Sequence, residues 1–142
     1  MSSPFQAYKD NAILSASPAR LLTMLYDRLL LDLNCAKDAL ELEDAATATY
    51  RIKHAGEIVA ALAGSLRRDR WDGADGLLGL YLYVSNALVR ASIYRDVQLV
   101  DECTILLEPL RQAWHEAAES LASIPEWETD TSSETAEVVA IA

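Results

Sequence analysis

The sequence predicts an all-α protein, an antiparallel four-helix bundle whose helices run up, down, up and down. Three observations support this prediction. Apolar residues recur at helical spacing in four long segments, short breaks separate those segments, and no strand pattern competes with them. Short connections between long amphipathic helices favour antiparallel neighbours. The composition agrees, because 51% of the 142 residues are apolar and only five are glycine and four proline.

The first helix is predicted over residues 18–42 and has a well-defined start. The hydroxyl of Ser17 can accept a hydrogen bond from an amide of the first turn, as an N-cap does. Pro18 suits the first helical position because its φ is already helical. The apolar stripe of this helix consists of Leu21, Leu22, Leu25, Tyr26, Leu29, Leu33, Ala36 and Leu40.

The second and third helices are predicted over residues 45–66 and 76–94. Glu43 and Asp44 form the break before the second helix, and a charged loop at 67–73, which contains Trp71, separates the two. The stripe of the second helix consists of Ile52, Ala55, Ile58, Val59, Leu62 and Leu66. The stripe of the third consists of Leu77, Leu80, Tyr81, Val84, Ala87, Leu88 and Ala91.

The fourth helix is predicted over residues 97–121, with Asp96 as its N-cap and with a proline in its interior. Pro109 removes the hydrogen bond to the carbonyl of Ile105, at a cost of about 3 kcal/mol. Because the apolar stripe continues in phase on both sides, we expect a bend near Ile105 and not the end of the helix. That stripe consists of Leu99, Val100, Cys103, Leu106, Leu107, Leu110, Trp114, Ala117 and Leu121.

Charge and composition narrow the classes of partner and the location. The net charge of −10 disfavours nucleic acid and anionic membranes as main partners. No apolar run is long enough to cross a membrane, and no basic region precedes an apolar run as in a signal peptide. We therefore expect a cytoplasmic protein without membrane insertion, in which Cys35 and Cys103 are reduced core thiols.

Two terminal segments flank the predicted bundle of residues 18–121. The leader, residues 1–17, is too short to fold alone, so we expect it to pack over the bundle as a capping segment. The tail, residues 122–142, has five acidic and no basic residues and is predicted to be disordered. The apolar residues 138–142 at its end have no place in the predicted core. The apolar residues of the leader are Phe5, Tyr8, Ile13 and Leu14.

The third helix has more apolar residues than one core stripe requires. Its second row, on a different side, consists of Leu78, Leu82, Val89 and Ile93. The first helix has a smaller second row of Met24, Leu31, Cys35 and Leu42. One interpretation is that wide stripes fill a thick core, or that the leader covers one row permanently. The other is a groove that binds an apolar segment of another protein.

The side chains that carry chemistry indicate no catalytic, metal or cofactor site. Neither of the two histidines, His54 and His115, belongs to a Glu-x-x-His di-iron motif. His54 lies opposite the apolar stripe of its helix, so it should be exposed. Histidine phosphotransfer domains are also four-helix bundles with one exposed histidine, but residues 53–57 match their His-x-Lys-Gly pattern only loosely. A phosphotransfer bundle using His54 and a structural or adaptor bundle remain alternatives to a binding module.

Taken together, the leader, the helix start and the four segments resemble the flagellar secretion chaperone family FliS. The resemblance covers about residues 5–120. The chain departs from the family pattern at Arg28, where glycine is usual, and at Ala91-Ser92, where asparagine is frequent. The motifs that carry the resemblance are Ala7-Tyr8, Ala16-Ser17-Pro18 with Leu21-Leu22, Met24-Leu25-Tyr26-Asp27, Leu80-Tyr81-x-Tyr83 and Leu110-Arg111-x-Ala113-Trp114.

The resemblance implies a cytoplasmic, non-enzymatic export chaperone without a cofactor. Such a protein binds the C-terminal segment of flagellin in an apolar groove, prevents premature polymerisation and assists delivery to the flagellar type III export apparatus. We expect the free protein to be a monomer or a weak homodimer. The residues predicted to contact the partner are Tyr8, Ile13, Leu14, Leu22, Tyr26, Leu78, Leu82, Val89 and Ile93.

Overall fold

The computed structural model describes residues 17–67 and 72–123, and this part of the chain forms four helices. They are α1 (Pro18–Glu41), α2 (Ala45–Gly64), α3 (Ala74–Tyr94) and α4 (Val97–Ala122). No strand occurs within these two ranges, so the predicted all-α fold is confirmed. The observed helix ends lie within two residues of the predicted ones. The predictions for the leader up to residue 16, for Trp71 and for the tail after residue 123 concern residues outside the described ranges.

Side-chain contacts show that α1 is antiparallel to α2 and to α4, and the two residues between α3 and α4 reverse the chain between that pair. Lys37, near the end of α1, pairs with Asp101, near the start of α4, at 3.0 Å. Arg51, in the first half of α2, lies 2.9 Å from Asp32, in the second half of α1. α1 and α3 each pack against both α2 and α4, so they lie diagonally across the bundle. The starts of α1 and α3 therefore share one end of the bundle, the first end, and the α1–α2 and α3–α4 connections lie at the second end.

Polar caps fix the start of three helices. The side chain of Ser17 accepts from the amide of Arg20 at 3.2 Å, and the side chain of Asp96 accepts from the amide of Gln98 at 3.0 Å. Both predicted N-caps are thus confirmed. Asp44 caps α2 in the same way. Such caps contribute about 1 kcal/mol each because they satisfy amides that have no partner within the helix.

The fourth helix continues through its internal proline. Pro109 lies inside α4, which runs without a break from Val97 to Ala122. The prediction that the helix does not end there is confirmed, and the bend near Ile105 stays a prediction. Pro109 is exposed, so water can satisfy the carbonyl that its missing amide leaves free.

The predicted stripes form the core. Tyr26 of α1 and Tyr81 of α3 meet in the bundle interior, where their hydroxyls hydrogen-bond to each other. Burial raises the pKa of both phenols, so they remain neutral. All four helices contribute side chains that are at most 1% exposed, including Leu29, Leu33, Val59, Leu62, Val84, Leu88, Val100, Cys103 and Leu107. Burial of each large apolar side chain contributes about 1.5–3 kcal/mol.

One helix within the described ranges, α3, is long and apolar enough to cross a membrane by length and composition alone. The short apolar runs of the sequence did not indicate this. Seven residues of α3 are buried in the bundle core, and a core helix passes the same test. The rest of its apolar surface lies outside the core and forms the candidate site.

Candidate partner-binding surface

The second row of apolar residues on α3 lies on the outside of the bundle. Leu82 and Val89 are each 59% exposed, Ile93 is 67% exposed, and Leu78 is half-buried. Their spacing of four, seven and four residues places them on one face of α3. We call these four residues the outer row. Three of these four residues are exposed and therefore lie outside the core of the described bundle. This disfavours the interpretation that the outer row fills a thick core.

A groove lies between α2 and α3. It runs beside Val89 and Ile93, the two residues of the outer row that lie nearer the second end of the bundle. Its volume is about 490 Å³, and Ile52 and Leu88, which are almost fully buried, form its floor. Val89 and Ile93 line one wall. The groove is thus continuous with exposed apolar surface, as expected of a site that binds an amphipathic segment.

Small residues on both helices keep this groove open. Gly56 and Ala60 of α2 and Ser85 and Ser92 of α3 line it. A Cβ placed at Gly56 would meet no atom within 4 Å, so the space above this glycine is unoccupied. Three polar side chains, Thr49, Lys53 and Glu57, complete the lining on α2. The width of the groove thus depends on residue size along two facing helices.

Ionic contacts between helices lie on a different part of the bundle. Within the described ranges, every ion pair that joins two helices has one partner on α1. Asp27 accepts a hydrogen bond from Arg111 of α4 at 3.2 Å and bonds to His115 at 2.7 Å. Lys37 pairs with Asp101 on the same interface. These contacts hold α1 against α4, whereas the α2–α3 interface relies on apolar contacts.

A buried carboxylate joins α1 to α2. Asp32 is fully buried, and it accepts a hydrogen bond from Arg51 at 2.9 Å while Nδ1 of His54 bonds its second oxygen. The Nε atom of Arg28 lies 3.7 Å from the same carboxylate. The hydrogen bond to Asp32 raises the pKa of the Arg51 guanidinium. A buried charge is tolerated when it is paired in this way.

The position of His54 corrects the sequence prediction. The imidazole was expected to be exposed, but its side chain is 27% exposed, bonds to Asp32 and stacks on Tyr50 with ring centroids 6.4 Å apart. The helical wheel predicted the wrong exposure because it considers only the apolarity of residues on α2. The buried carboxylate that His54 contacts, Asp32, lies on the neighbouring helix α1. The arrangement gives His54 a structural role.

Two residues predicted to contact the partner lie in the core. Leu22 is 3% exposed and Tyr26 is fully buried. A side chain that fills the core does not contact a second protein while the bundle stays folded. We therefore treat both as core residues and leave them out of the proposed contact surface. The predicted contact residues of the leader, Tyr8, Ile13 and Leu14, lie outside the described ranges.

The smaller second row of α1 is also partly exposed. Leu31 is 47% exposed and Leu42 is 80% exposed, whereas Met24 and Cys35 are half-buried. Sequence reasoning did not single out a further exposed apolar residue on α4, Ile105, which is 70% exposed. Its exposure is close to that of Ile93, which makes it a matched reference position on another helix.

The described residues contain no cluster that could bind a metal ion. Both cysteines are free thiols, as expected from their separation in the sequence. Desolvation, with a smaller contribution from Glu102, raises the pKa of the buried Cys103 thiol to about 11, so it stays protonated at neutral pH. The residues that line the groove, together with the exposed outer row, give the site the character of an apolar contact surface.

The comparison with known proteins agrees with this character. A family model described as flagellar protein FliS matches residues 1–121. The chain belongs to the FliS family. The flagellar secretion chaperone FliS of Bacillus subtilis is 28% identical over 120 residues, which cover 84% of this chain and 90% of the relative.

Two further relatives carry the same name. Flagellar secretion chaperone FliS of Salmonella typhimurium is 30% identical over 111 residues, or 77% of this chain and 82% of the relative. FliS of Escherichia coli is 29% identical over 110 residues, or 76% of this chain and 81% of the relative. The resemblance inferred from the sequence motifs is confirmed, and membership of this family supports a role as an export chaperone in flagellum biogenesis.

Proposed function

We propose that this FliS-family protein is a cytoplasmic chaperone that binds the C-terminal segment of flagellin. The client lies along the outer row and in the α2–α3 groove, is held apart from other flagellin molecules and is then delivered to the flagellar export apparatus. Family membership supports the chaperone role. The observation that carries the binding site is the exposure of Leu82, Val89 and Ile93 beside a groove that the core leaves open.

The energetics require a large apolar contact. A segment that orders on binding loses conformational freedom, and association itself costs about 4–15 kcal/mol. Full burial of Leu82, Val89 and Ile93 would contribute about 5–9 kcal/mol at 1.5–3 kcal/mol each. This contribution exceeds the lower values of the association cost but not the higher ones. We infer that the client also covers further apolar surface, for which Leu78, the half-buried member of the outer row, is a candidate.

The geometry favours a client that is helical when bound. Residues with small side chains line the groove on both helices, so a third helix can approach closely. The client should therefore gain helix on binding, and its association should show a negative heat-capacity change from apolar burial. Circular dichroism and calorimetry measure these two signatures.

A pair of matched variants tests the site. Ile93→Glu places a charge in the groove wall, whereas Ile105→Glu places the same charge at an equally exposed isoleucine on α4. An unpaired charge against apolar client surface should weaken binding by a few kcal/mol, on the order of a hundredfold in dissociation constant. Calorimetric titration with a flagellin C-terminal fragment measures this change.

Thermal melts of the two variants show whether the substitutions also disturb the fold. Both positions are exposed, so both melts should match the wild type within a few degrees. Equal loss of binding by both variants, or collapse of the Ile93→Glu melt alone, would refute the groove as the client site. Absence of any complex between the wild type and the fragment at about 10–100 μM would refute the flagellin assignment.

The leader is a second element of this proposal. Its apolar residues have no core of their own, and a leader that covers client-binding surface lowers the apparent affinity by the fraction of time the site is closed. Deletion of residues 2–14 should then raise binding of an apolar dye and speed client association. Slower association or a weaker complex would instead mean that the leader contacts the client directly.

The phosphotransfer alternative finds no support in the site. Nδ1 of His54 bonds to a buried carboxylate, and the ring stacks on a tyrosine. An adaptor bundle that binds no client leaves the exposed outer row unexplained, because contiguous exposed apolar surface usually marks a partner site. Neither alternative accounts for the groove as well as a bound client does.

A further inference from the structure

Charge is distributed unevenly between the parts of the chain. Residues 97–123 have five acidic residues and one basic residue, and residues 124–142 have five acidic residues and none that are basic. Residues 44–96, which contain α2 and α3, have seven basic and six acidic residues. The tail therefore has the same sign of charge as α4, the helix that precedes it. Repulsion from α4 acts within about 10 Å at 0.1 M salt and disfavours contact of the tail with that helix.

The end of the tail has the chemical character of a groove ligand. After its last acidic residue, Glu137, the chain ends with five apolar residues, Val138, Val139, Ala140, Ile141 and Ala142. The groove offers an apolar floor and wall, while Lys53 and Glu57 on its lining carry one charge of each sign. A segment of small and medium-sized apolar residues thus complements the floor and wall of the groove.

The tail is long enough to reach the groove. α4 ends at the first end of the bundle, whereas Val89 lies fifteen residues along α3, or about 22 Å towards the second end. The tail must also cross from α4 over α3 to reach the groove between α3 and α2. This adds about 20 Å, or about two interhelical distances, since packed helices lie 8–10 Å apart. Val138 lies fifteen residues after Ser123, so the chain between them spans up to about 50 Å. In contrast, Ile13 and Leu14 lie within four residues of Ser17 and reach only about 14 Å from the first end.

We propose that residues 138–142 of this chain dock in the α2–α3 groove and compete there with the client. The competition with flagellin rests on the proposed function, whereas the docking of the tail does not. A tether of this length gives an effective concentration in the millimolar range. A dissociation constant of about 1 mM, or about 4 kcal/mol, is therefore enough for the tail to occupy the groove about half of the time. Burial of Val138, Val139 and Ile141 contributes about 5–9 kcal/mol before the costs of association and ordering, so we expect docking no tighter than this weak range.

Nuclear magnetic resonance of the full-length protein tests the docking without a client. The tail variant Val138→Asp, Val139→Asp and Ile141→Asp removes the apolar end and adds three charges. The control variant Ser132→Asp, Ser133→Asp and Thr135→Asp adds the same three charges but keeps that end. The tail variant should shift the methyl resonances of Val89 and Ile93, whereas those of Ile105 should stay in place. The control should shift neither.

The same variants test the competition. Groove occupancy of about 50–90% lowers the apparent affinity about two- to tenfold, so the tail variant should bind a flagellin C-terminal fragment tighter by this factor and the control should not. Unchanged groove resonances in the tail variant would overturn the docking. If the resonances of Val89 and Ile93 shift only when Tyr8 and Ile13 are substituted, the leader is the segment that occupies the groove. That result would also overturn the docking of the tail.

The two proposals fail in distinguishable ways. Groove shifts in the tail variant together with no flagellin binding by any form would refute the flagellin assignment and the competition, while establishing that the tail docks. Flagellin binding at the groove with no response to the tail variant would support the proposed function and overturn the inference.

Discussion

The two sides of the bundle are held together by different interactions. On one side, α1 contacts its neighbours through paired charges, among them the buried Asp32 with Arg51 and the Lys37–Asp101 pair. On the other, α2 and α3 meet through apolar and small side chains that leave a groove. The comparison indicates that polar contacts which fix the position of α1 are spatially separate from the proposed client surface.

Each side has an energetic cost that its contacts must offset. Burying Asp32 costs several kcal/mol of solvation, and its hydrogen bonds to Arg51 and His54 offset that cost. Exposure of the outer row leaves apolar surface in water, and a bound partner would remove that cost. We therefore expect substitutions on the α1 side to change stability and substitutions at the groove to change binding.

The largest effect should follow removal of the buried carboxylate. Asp32→Ala leaves Arg51 and His54 without their acceptor and should lower the free energy of unfolding by about 3 kcal/mol. Urea denaturation measures this change. Client affinity at a temperature where the variant is folded should remain within about twofold of the wild type. A stable variant with selectively lost client binding would show that the two sides are not separate.

Filling the groove should have the converse effect. Gly56→Leu places a large side chain in unoccupied space and should weaken client binding at least tenfold, or about 1.4 kcal/mol. Gly56→Ala is the matched control, because it adds only a Cβ and raises helix propensity by about 1 kcal/mol. Both variants should unfold no earlier than the wild type in thermal melts. Full client affinity in the leucine variant would place the client elsewhere.

A smaller change in stability is expected at His54. His54→Ala should cost about 1 kcal/mol, since it removes one hydrogen bond to a buried carboxylate whose other partner, Arg51, remains. The sequence-based expectation of an exposed histidine predicts less than about 0.5 kcal/mol. Denaturant titration distinguishes these values. Client binding should not change, and a loss of stability within the smaller range would mean that the bond to Asp32 contributes little.

The helices and the core were predictable because local patterns determine them. Ser17 and Asp96 mark helix starts through their side-chain oxygens, and the 3.6-residue period identifies the core face of each helix. The outer row of α3 was recognisable in the sequence, but its exposure was only one of two interpretations, since a wide stripe in a thick core has the same periodicity. Leu22 and Tyr26 were assigned to the partner surface on the family motif, although the helical period already placed both in the core stripe, where they are buried.

The Asp32 cluster and the groove depend on distances between helices, which the periodicity does not contain. Whether Asp32 meets His54 is set by the rotation of α1 against α2, so neither helix pattern alone reveals it. The groove does have a sequence signal that was not used. Gly56 and Ala60 on α2 and Ser85 and Ser92 on α3 are small residues at one-turn or two-turn spacing, and such residues leave space where two helices face each other.

The most direct test of the separation is a methyl spectrum recorded during titration with a flagellin C-terminal fragment. The account predicts that the methyl resonances of Leu82, Val89 and Ile93 shift in proportion to complex formed, while that of Ile105 stays in place. Shifts centred on Ile105, with Val89 and Ile93 unchanged at saturation, would contradict the assignment of the client to the α2–α3 side.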